Sequence, residues 1–585
     1  MKLKDCFKAG GKDYDKARSP EETLDWVFER FRKFDQPVLK SVERIDKDRL
    51  GIPVYVSRYE PGACMVTGSA RQMGKGITDA QARASAVMEI VERFSLFQFL
   101  NSNSMACMPR NRLAEPAFPR SLLLKAIHSQ DVPEKALDFL DEFPIQWAEG
   151  LDTCNGESIP VPFSWVWPIN KYNGAAAGNS LEEAAVQAIS EVVERHVCSL
   201  ISYNRISTPS INMNSIRDQR LCELIERFSR IGIKLILKDF SLGLGIPTVG
   251  AIAWDPSTFP ERSEIVYTAG TSTSPVRAAI RAVTEVAQLA GDFDTEGKYL
   301  ESGLPKFQDL DEAEYVLSSD NTVDMEQLPD LSSDNFYQEV TNLTSQLYQA
   351  GLLTYLLDVT HPDLGIPAVY AVIPGNHFRE RTRNLSLPLH MAKTAVTGGY
   401  LDLQQQHNIL LHLDNIFPGR FETAFYLGHL EEEAGRFDLA LNYFKLALER
   451  QPDSTEIASI YCHQGSCLME MGETEQAIAA LKKAKQHNSA LKEIHNLLGT
   501  CYYRQEDFIS AIECFEKAIA IDPSSAIDYA NIGSNLRKLG MKELARQWYN
   551  TALEMDPELE WARQHLAEMD NGDSQISSTR SSELK

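Results

Sequence analysis

Two distant segments of the chain share one pattern of acidic and basic residues, E-x-x-E-R. The pattern places Glu89, Glu92 and Arg93 in SAVMEIVERFS, and the same residue types recur in QAISEVVERHV. On an exposed helix, a glutamate and an arginine four residues apart stabilise the helix by about 0.2–0.5 kcal/mol. A solvated helix face therefore explains the E-x-x-E-R pattern taken alone. Only the residues around each copy can indicate a catalytic or binding role.

Three predicted helices, over 79–98, 181–199 and 276–290, each carry polar side chains along one stripe. The stripes are Ser85, Glu89 and Glu92 on the first helix, Glu183, Gln187, Glu191 and Glu194 on the second, and Arg277, Arg281, Glu285 and Gln288 on the third. The second helix, AAVQAISEVVERHV, is otherwise almost entirely apolar or small, which is typical of a buried helix. Buried carboxylates persist only when they are paired, hydrogen-bonded or bound to a cation.

Carboxylates that lie together with arginine and lysine suit a magnesium–nucleotide site. Magnesium prefers carboxylate oxygens, and arginine and lysine bind phosphates. Ion pairing between packed helices explains the same residues equally well, so both interpretations stay open here. The segment GSARQMGKGIT is not a phosphate-binding P-loop, because its glycine spacing differs and Gly76 follows Lys75 where serine or threonine is required. Lys75 fits a solvated loop as well as a phosphate site.

The elements that would position these helices form a loose repeat of strand, loop and helix. LGIPVYVSRY (50–59), LGIPTVGAIAW (244–254) and LGIPAVYAVIPG (364–375) share G-I-P before a β-rich run, and SIPVPFSWVW (158–167) is a weaker fourth copy. Three glycine-containing segments, 69–78, 170–180 and 267–275, are predicted as loops before the three helices. In this hypothesis the glycines let backbone N–H groups approach phosphate at helix N-termini.

The last third of the chain contains a second repeat. The repeat has four copies, and each begins with a glycine that is followed, at the same spacing, by alanine, a large apolar residue and a second alanine. The four glycines are Gly428, Gly465, Gly499 and Gly533. The small residues allow two helices to approach closely, the large residue fills the gap behind them, and proline ends the second helix. The pattern resembles a tetratricopeptide repeat (TPR) array of four units, and such arrays offer a concave protein-binding surface.

Composition limits the function further. The 585 residues carry a net charge of −24, which argues against broad binding to nucleic acid or to an anionic membrane. The sequence has no run of about 18 apolar residues, and its start lacks the apolar core of a signal peptide. Ten cysteines are scattered without paired zinc spacing, which predicts a cytoplasmic protein with no structural metal and no disulfide framework.

Three motifs, in order, closely resemble the signature helices of the YcaO family. They are GKGIT…ARASAVMEIVERF, GNSLEEAAVQAISEVVERH and RAAIRAVTEVAQ, and SVERIDKDRLGIPVYVSRYEPGA resembles the family's N-terminal strand region. The resemblance covers about 1–395 and implies an enzyme that uses ATP and Mg²⁺ to act on peptide-backbone amides. In the family a nucleophile adds to the amide carbon, the amide oxygen attacks the γ-phosphate, and phosphate then leaves.

The resemblance implies roles for residues by their positions in the motifs. Nucleotide or magnesium contacts are implied for Lys12, Ser85, Glu89, Glu92, Asn179, Glu183, Gln187, Glu191, Glu194, Arg195, Arg281 and Glu285. The implied magnesium ligands are Glu89, Glu92, Glu183, Glu191, Glu194 and Glu285. The implied catalytic residues are Glu191, Glu194 and Arg281, with Arg281 on phosphate.

Departures from the family pattern narrow the expected reaction. Azoline-forming members end in a proline-rich segment, whereas this chain continues into helical repeats, so thioamide formation is favoured over azoline-forming cyclodehydration. The start, KDYDKARSPEETLDWVFERF, resembles thioamide-forming members, which usually work with a separate TfuA-type partner. The alternatives are a non-catalytic or accessory role in methylthiolation of a ribosomal protein, and an inert α/β domain joined to a repeat scaffold.

The expected architecture is an α+β YcaO-type domain followed by an all-α TPR solenoid. We expect an ATP-binding catalytic domain at 1–400, a linker at 401–419, four repeats with a capping helix at 420–570 and a disordered tail at 571–585. Expected partners are a peptide or protein substrate, a TfuA-like or sulfur-delivering protein, and a protein bound by the repeats, with no nucleic acid and no membrane. A homodimer is compatible with the sequence.

Overall fold

The computed structural model describes residues 1–10, 15–46, 48–102, 105–114, 117–130, 132–290, 293, 307, 309–319, 321–522, 525–556 and 559–569. The chain divides into two units, Met1–Leu387 and Pro388–Lys585. Sheets with helices packed on them form the first unit, and paired helices form the second. The predicted fold class, α+β followed by an all-α array, is confirmed.

The first unit contains fourteen strands and eleven α-helices among its described residues. The strands are β1 (Leu39–Arg44), β2 (Val54–Tyr59), β3 (Arg71–Lys75), β4 (Ala106–Pro109), β5 (Pro144–Asp152), β6 (Ser158–Pro162), β7 (Ala175–Ala177), β8 (Ser210–Ile211), β9 (Lys234–Asp239), β10 (Thr248–Trp254), β11 (Val266–Thr271), β12 (Thr322–Val323), β13 (Tyr355–Asp358) and β14 (Ala368–Val372). The helices are α1 (Pro20–Lys33), α2 (Pro61–Thr67), α3 (Asp79–Asn101), α4 (Arg120–Ala126), α5 (Glu134–Glu142), α6 (Phe163–Asn170), α7 (Leu181–Asn204), α8 (Gln219–Arg230), α9 (Pro275–Ala290), α10 (Glu314–Leu317) and α11 (Phe336–Gln349).

The strands form three sheets. Their strand orders are β1-β2-β3, β11-β10-β9-β8-β12, and β4-β5-β13-β14-β7 with β6 paired to β5. Each G-I-P segment forms a strand that pairs antiparallel with a short strand beside a signature helix. These units are β2–β3 with α3, β10–β11 with α9, and β14–β7 with α7. Distant parts of the chain complete the last unit, where Ala368 pairs with Ala177.

The segments predicted as loops before the helices contain β3, β7 and β11, so that part of the prediction is wrong. Their glycines serve close packing. A Cβ atom on Gly74 would lie 2.0 Å from the backbone nitrogen of Ala86, and one on Gly270 would lie 2.3 Å from the carbonyl oxygen of Ala278. Glycine therefore lets each strand touch the backbone of its helix. The fourth predicted strand ends at Pro162, where α6 begins.

The three predicted signature helices are confirmed as α3, α7 and α9. The side chain of Thr78 caps α3 by accepting from Gln81 N, and that of Ser180 caps α7 by accepting from Glu183 N. Pro275 is the first residue of α9, a position where its missing N–H costs nothing.

Apolar residues fix which face of each signature helix turns inward. The face of α3 opposite its polar stripe is buried, as predicted, through Val87, Ile90, Val91 and Phe94. Helix α7 is buried over most of its length, which confirms the expectation that its carboxylates lie inside the protein. Alanine and valine residues of α9 pack against β10 and β11 in a separate cluster.

The second unit consists of antiparallel helix pairs. Its helices are α12 (Leu387–Thr397), which begins at the boundary, α13 (Leu403–Ile416), α14 (Phe421–Glu433), α15 (Phe437–Glu449), α16 (Ser454–Glu470), α17 (Thr474–His487), α18 (Lys492–Arg504), α19 (Phe508–Ile521), α20 (Ala526–Lys538) and α21 (Lys542–Met555), followed by a helical segment over 560–569. Each repeat glycine faces the large residue of its partner helix. A Cβ atom on Gly428 would lie 2.7 Å from the Phe444 ring, and one on Gly499 would lie 2.8 Å from the Phe515 ring.

The boundaries of the second unit differ from the expected ones. Helix α13 lies within 401–419, which was expected to be a linker, and packs on α14 because Ile409, Leu410 and Leu413 are buried. The contact boundary falls at Leu387 rather than near 400. The expected tail, 571–585, lies outside the described residues. Among the helices that are described, none has both the length and the apolar character needed to cross a bilayer.

Candidate functional site

Helix α3 presents two carboxylates to one guanidinium group. Arg93 Nη2 is 2.9 Å from Glu89 Oε1, and Arg93 Nε is 3.4 Å from Glu92 Oε1. Arg93 Nη1 also donates to the carbonyl oxygen of Tyr172 at 3.3 Å, and its guanidinium lies 4.4 Å from the centre of the Tyr172 ring. The first E-x-x-E-R copy is therefore an ion-pair cluster that reaches the segment before β7.

Helix α7 contributes two carboxylates that are each held by a backbone N–H group. Glu191 Oε2 accepts from Gly174 N at 3.0 Å, and Glu194 Oε2 accepts from Thr271 N at 3.0 Å at the end of β11. Arg195 is more loosely paired, because its Nη2 lies 3.7 Å from Glu191 Oε1. One oxygen of each carboxylate is thus anchored to the backbone of a neighbouring strand unit.

Helix α9 completes the cluster through Arg281 and Glu285. Arg281 Nη1 donates to Gln187 Oε1 on α7 at 2.7 Å. Glu285 forms an ion pair with Lys75, the last residue of β3. The three strand–helix units, far apart in the sequence, therefore converge on one polar region inside the first unit.

The start of α7 forms a separate part of this region. Glu183 Oε2 accepts from Ala17 N at 2.9 Å, Asn179 Nδ2 donates to Glu183 Oε1 at 3.1 Å, and Lys16 Nζ lies 3.6 Å from the same oxygen. Glu183 precedes Glu191 by two helical turns, about 12 Å along the axis. The Glu183 carboxylate is held by the segment around Ala17 and by Asn179, whereas that of Glu191 is held by Gly174.

Burial raises the cost of ionising the clustered carboxylates. Burial raises the pKa of Glu92 well above its ordinary value, Glu89 and Glu191 add to the shift, and Arg93 opposes it. Burial also raises the pKa of Glu191, although Arg195 and Arg93 both lower it. The two arginines therefore neutralise the negative charge of the cluster only in part, and a further cation would stabilise the ionised carboxylates.

Two basic side chains of the cluster have hydrogen-bond donors that the protein itself does not satisfy. Burial lowers the pKa of Lys75 to about 7, and Arg281 acts in the same direction, while Glu194 and Glu89 favour the charged form. Arg195 and Arg281 each have a buried Nε–H group without a hydrogen-bond partner. A buried donor without a partner costs free energy. An anionic ligand such as phosphate would satisfy both groups.

This donor set fits a magnesium–nucleotide complex, although the carboxylates alone do not form a closed metal cage. In the described part of the chain, no three His, Cys, Asp or Glu side chains are arranged to hold a metal ion. The guanidinium groups of Arg93 and Arg195 instead lie against the glutamates. A magnesium ion usually keeps several waters and binds one or two carboxylates together with substrate phosphates, so a closed protein cage is not required.

The structure brings together most of the predicted site residues. Those in the converging region are Glu89, Glu92, Gln187, Glu191, Glu194, Arg195, Arg281 and Glu285, and those nearer the start of their helices are Ser85, Asn179 and Glu183. Lys12 lies outside the described residues. Arg277, on the predicted third stripe, instead contacts Glu339 Oε1 at 3.2 Å.

Several residues of this region were not predicted to belong to it. Arg93 had a usable signal, because it occupies in the first E-x-x-E-R copy the position of Arg195 in the second. Gly174 and Thr271 act through their backbone N–H groups, which every residue other than proline has, so residue type alone could not reveal them. Tyr172 contacts Arg93 only through the tertiary fold.

Residues 73–377, more than half of the chain, match the family described as YcaO cyclodehydratase, ATP- and Mg²⁺-binding. The chain belongs to the YcaO family. It is accordingly an ATP- and magnesium-dependent enzyme that modifies peptide-backbone amides. Residues 431–499, 493–525 and 529–559 match tetratricopeptide repeats, so the predicted YcaO domain followed by a TPR array is confirmed.

Curated relatives and a solved structure align with the YcaO part of the chain. A Rhizobium leguminosarum bv. trifolii protein, described as an uncharacterized protein in the tfuA 3′ region, is 26% identical over 394 residues, 63% of this chain and 90% of its own length. The Escherichia coli K12 ribosomal protein S12 methylthiotransferase accessory factor YcaO is 26% identical over 348 residues, 52% of this chain and 56% of its own. A heterocyclase in complex with substrate and cofactor has the same fold, with a TM-score of 0.54 and 23% identity over 67% of this chain and 57% of its own.

Proposed function

We propose that this YcaO protein phosphorylates the oxygen of a backbone amide and completes the reaction as a thioamide, on a peptide or protein that its TPR array helps to recruit. The observation that carries the proposal is the pair of buried Nε–H groups on Arg195 and Arg281, both without partners. Arg195 lies beside Glu191 and Glu194 of α7, and Arg281 is held by the side-chain amide of Gln187. Such an arrangement suits a polyphosphate whose charge is shared with a hard cation.

The residues divide into three tasks. Arg195 and Arg281 would bind phosphate oxygens, and Gln187 orients Arg281 through its hydrogen bond. The remainder of the nucleotide would be bound by Ser85, Asn179, Glu183 and Lys12. Magnesium would be held by Glu89, Glu92, Glu191, Glu194 and Glu285, and when bound it would neutralise charge on the transferring phosphoryl group. Glu183 is better placed for the nucleotide than for this ion, because of its distance from Glu191 along α7.

The proposed reaction balances without an oxidant or a reductant. A hydrosulfide-class nucleophile adds to the amide carbon, and the amide oxygen then attacks the γ-phosphorus, so that ADP leaves. The carbon–oxygen bond breaks with the electron pair on oxygen, phosphate departs, sulfur loses its proton to solvent, and a carbon–sulfur double bond forms. Phosphate leaves far more readily than the original amide oxygen would, which is why the amide must first be phosphorylated.

Two observations favour a thioamide product over an azoline. The start of the chain resembles thioamide-forming members, and a relative that covers most of the YcaO region is encoded beside tfuA. A TfuA-like protein is accordingly the proposed sulfur-delivering partner, and the TPR array provides a protein-binding surface for a substrate or for that partner.

Mass spectrometry of the cellular proteome tests the product. Proteins from cells that express the wild-type chain should include one backbone position where sulfur replaces oxygen, and cells that express Glu191→Gln should lack it. A fragment series must place the change on the backbone rather than on a side chain. If the wild-type sample instead shows loss of water at Cys, Ser or Thr, the product is an azoline and the thioamide proposal is wrong.

An accessory role is the second candidate, because the Escherichia coli relative is described as an accessory factor for methylthiolation of ribosomal protein S12. In that case the chain's ATP-dependent chemistry would support methylthiolation of S12 rather than form a thioamide. Mass spectrometry of S12 with and without the chain separates the two candidates. A change in S12 methylthiolation with no oxygen-to-sulfur replacement elsewhere would favour the accessory role.

A further inference from the structure

The arginines of the two E-x-x-E-R copies have different surroundings. Arg195 has a buried Nε–H group without a partner, and its nearest contact to Glu191 is 3.7 Å. Arg93 is fully engaged, because it contacts Glu89 at 2.9 Å and Glu92 at 3.4 Å. Arg93 is thus paired with carboxylates, whereas Arg195 retains an N–H group that can donate to a ligand.

Tyr172 provides a second position for the Arg93 guanidinium. The tyrosine carbonyl oxygen accepts from Nη1 at 3.3 Å, and the ring centre lies 4.4 Å from the guanidinium carbon. The Tyr172 side chain is 48% exposed, so the space beyond the ring is open to solvent. Arginine is attracted to the face of an aromatic ring even where no carboxylate is present. The ring and carbonyl oxygen of Tyr172 are therefore able to hold the Arg93 guanidinium without the glutamates.

The segment that carries Tyr172 is fixed on both sides. The hydroxyl of Tyr370 donates to the carbonyl oxygen of Lys171 at 2.7 Å, and Lys171 has a φ of 51°, a positive value that non-glycine residues rarely adopt. Three residues further on, Gly174 N donates to Glu191. One short segment therefore positions both Arg93 and a carboxylate of α7.

We propose that Arg93 is an internal counter-ion that competes with magnesium for Glu89 and Glu92, and that Tyr172 holds the guanidinium when the metal takes the carboxylates. The inference rests on the proposed function, in which these glutamates bind the metal. In the metal-free protein Arg93 reduces repulsion between the partly exposed Glu89 carboxylate and the buried Glu92 carboxylate. When a divalent cation is bound there, like charges repel, so Arg93 gives up the carboxylates and keeps the contact that it already makes with the Tyr172 ring.

Manganese titrations followed by electron paramagnetic resonance test this competition, first without nucleotide and then with a non-hydrolysable ATP analogue. Arg93→Met removes the competing charge, so nucleotide-free manganese should bind at least about tenfold more tightly than to wild type. Tyr172→Leu removes the aromatic position, so manganese should bind about threefold more weakly. Tyr172→Phe keeps the ring and should match wild type.

The matched control is Arg230→Met. Arg230 pairs with Glu226 on α8 with the same spacing and the same 2.9 Å distance as Arg93 with Glu89, but both side chains are exposed. Its loss should leave manganese affinity unchanged. Circular dichroism establishes that each variant is folded, and if Arg93→Met is not, the opposite outcomes for Tyr172→Leu and Tyr172→Phe decide the question.

The failures of the two proposals are distinguishable. If wild type binds manganese and Arg93→Met binds it equally or more weakly, the counter-ion inference is wrong and the proposed function stands. Equal affinities for Tyr172→Leu and wild type likewise refute the role of Tyr172. If wild type binds no manganese with or without the ATP analogue, the proposed function fails and takes this inference with it.

Discussion

Replacing Glu191 with glutamine should weaken binding of the magnesium–nucleotide complex without lowering the stability of the ligand-free protein. The Glu191 side chain is 16% exposed and lies between Gly174 N at 3.0 Å and Arg195 at 3.7 Å. Glutamine has nearly the same volume, and its amide oxygen can accept the same bond from Gly174. The substitution therefore removes one negative charge with little change in packing.

The two expected effects have different sizes. Loss of a charge-assisted contact to magnesium or its bound waters costs about 1.5–3 kcal/mol, which corresponds to about 10- to 150-fold weaker binding of the magnesium–nucleotide complex. Stability should stay constant or rise, because burial raises the pKa of Glu191 and so makes its ionised form unfavourable in the folded protein.

Isothermal titration calorimetry with magnesium and a non-hydrolysable ATP analogue measures the first effect, and thermal melting of the ligand-free protein measures the second. Glu226→Gln, which neutralises an exposed glutamate of an ion pair on α8, is the matched control and should change neither. Wild-type nucleotide affinity in a folded Glu191→Gln variant would refute the reasoning. A large loss of melting temperature would show instead that Glu191 serves packing alone.

Three further outcomes are expected. Because the pKa values of Glu92 and Glu191 are raised, both groups should take up protons at a higher pH than ordinary glutamates do, so calorimetry should show weaker magnesium–nucleotide binding as the pH falls. For the same reason, acidification should relieve their cost to ligand-free stability, and pH-independent binding would contradict the assignment. Gln187→Leu removes the acceptor of Arg281 Nη1 and should lower both nucleotide affinity and melting temperature, whereas Gln476→Leu, at an exposed position of α17, should lower neither. Gly499→Ala places a Cβ 2.8 Å from the Phe515 ring and should destabilise the array by about 1–3 kcal/mol in denaturant titrations without changing nucleotide affinity; an unchanged transition would show that the ring moves aside.

The sequence predicts the signature helices well because their periodicity is strong. Buried Val87, Ile90 and Val91 alternate with the polar stripe of α3 in a way that only a helix produces. The glycine–aromatic register of the repeats was equally informative, since Gly499 and Phe515 meet as the pattern requires. In both cases one local period determines the structure.

The short strands β3, β7 and β11 could not be predicted in the same way. Strand β7 consists of three alanines, and β3, RQMGK, has no β-branched or aromatic residue, so both have low strand propensity. All three strands pair with the G-I-P strands and contact the signature helices. The partner of β7 is β14, which lies far along the chain. A period-based argument sees no such long-range pairing, so these segments were predicted as loops.

In the site, too, some residues could be predicted from the local sequence pattern, whereas others depend on the tertiary fold. Glu89, Glu191 and Arg281 could be named because their residue types and spacing suit phosphate and metal. The contact of Arg93 with Tyr172 and the bond from Gly174 to Glu191 depend on how α3, α7 and the segment before β7 meet. That arrangement also explains why Arg93 and Arg195, which occupy the same position in the two E-x-x-E-R copies, make different contacts.

The most direct test of the account is a crystal structure of the full chain with magnesium and a non-hydrolysable ATP analogue. We expect phosphate oxygens within hydrogen-bond distance of the Nε atoms of Arg195 and Arg281, and magnesium bound by glutamates of α3, α7 or α9. Nucleotide bound elsewhere, with both Nε atoms still lacking a partner, would contradict the central claim that these three helices form the phosphoryl-transfer site.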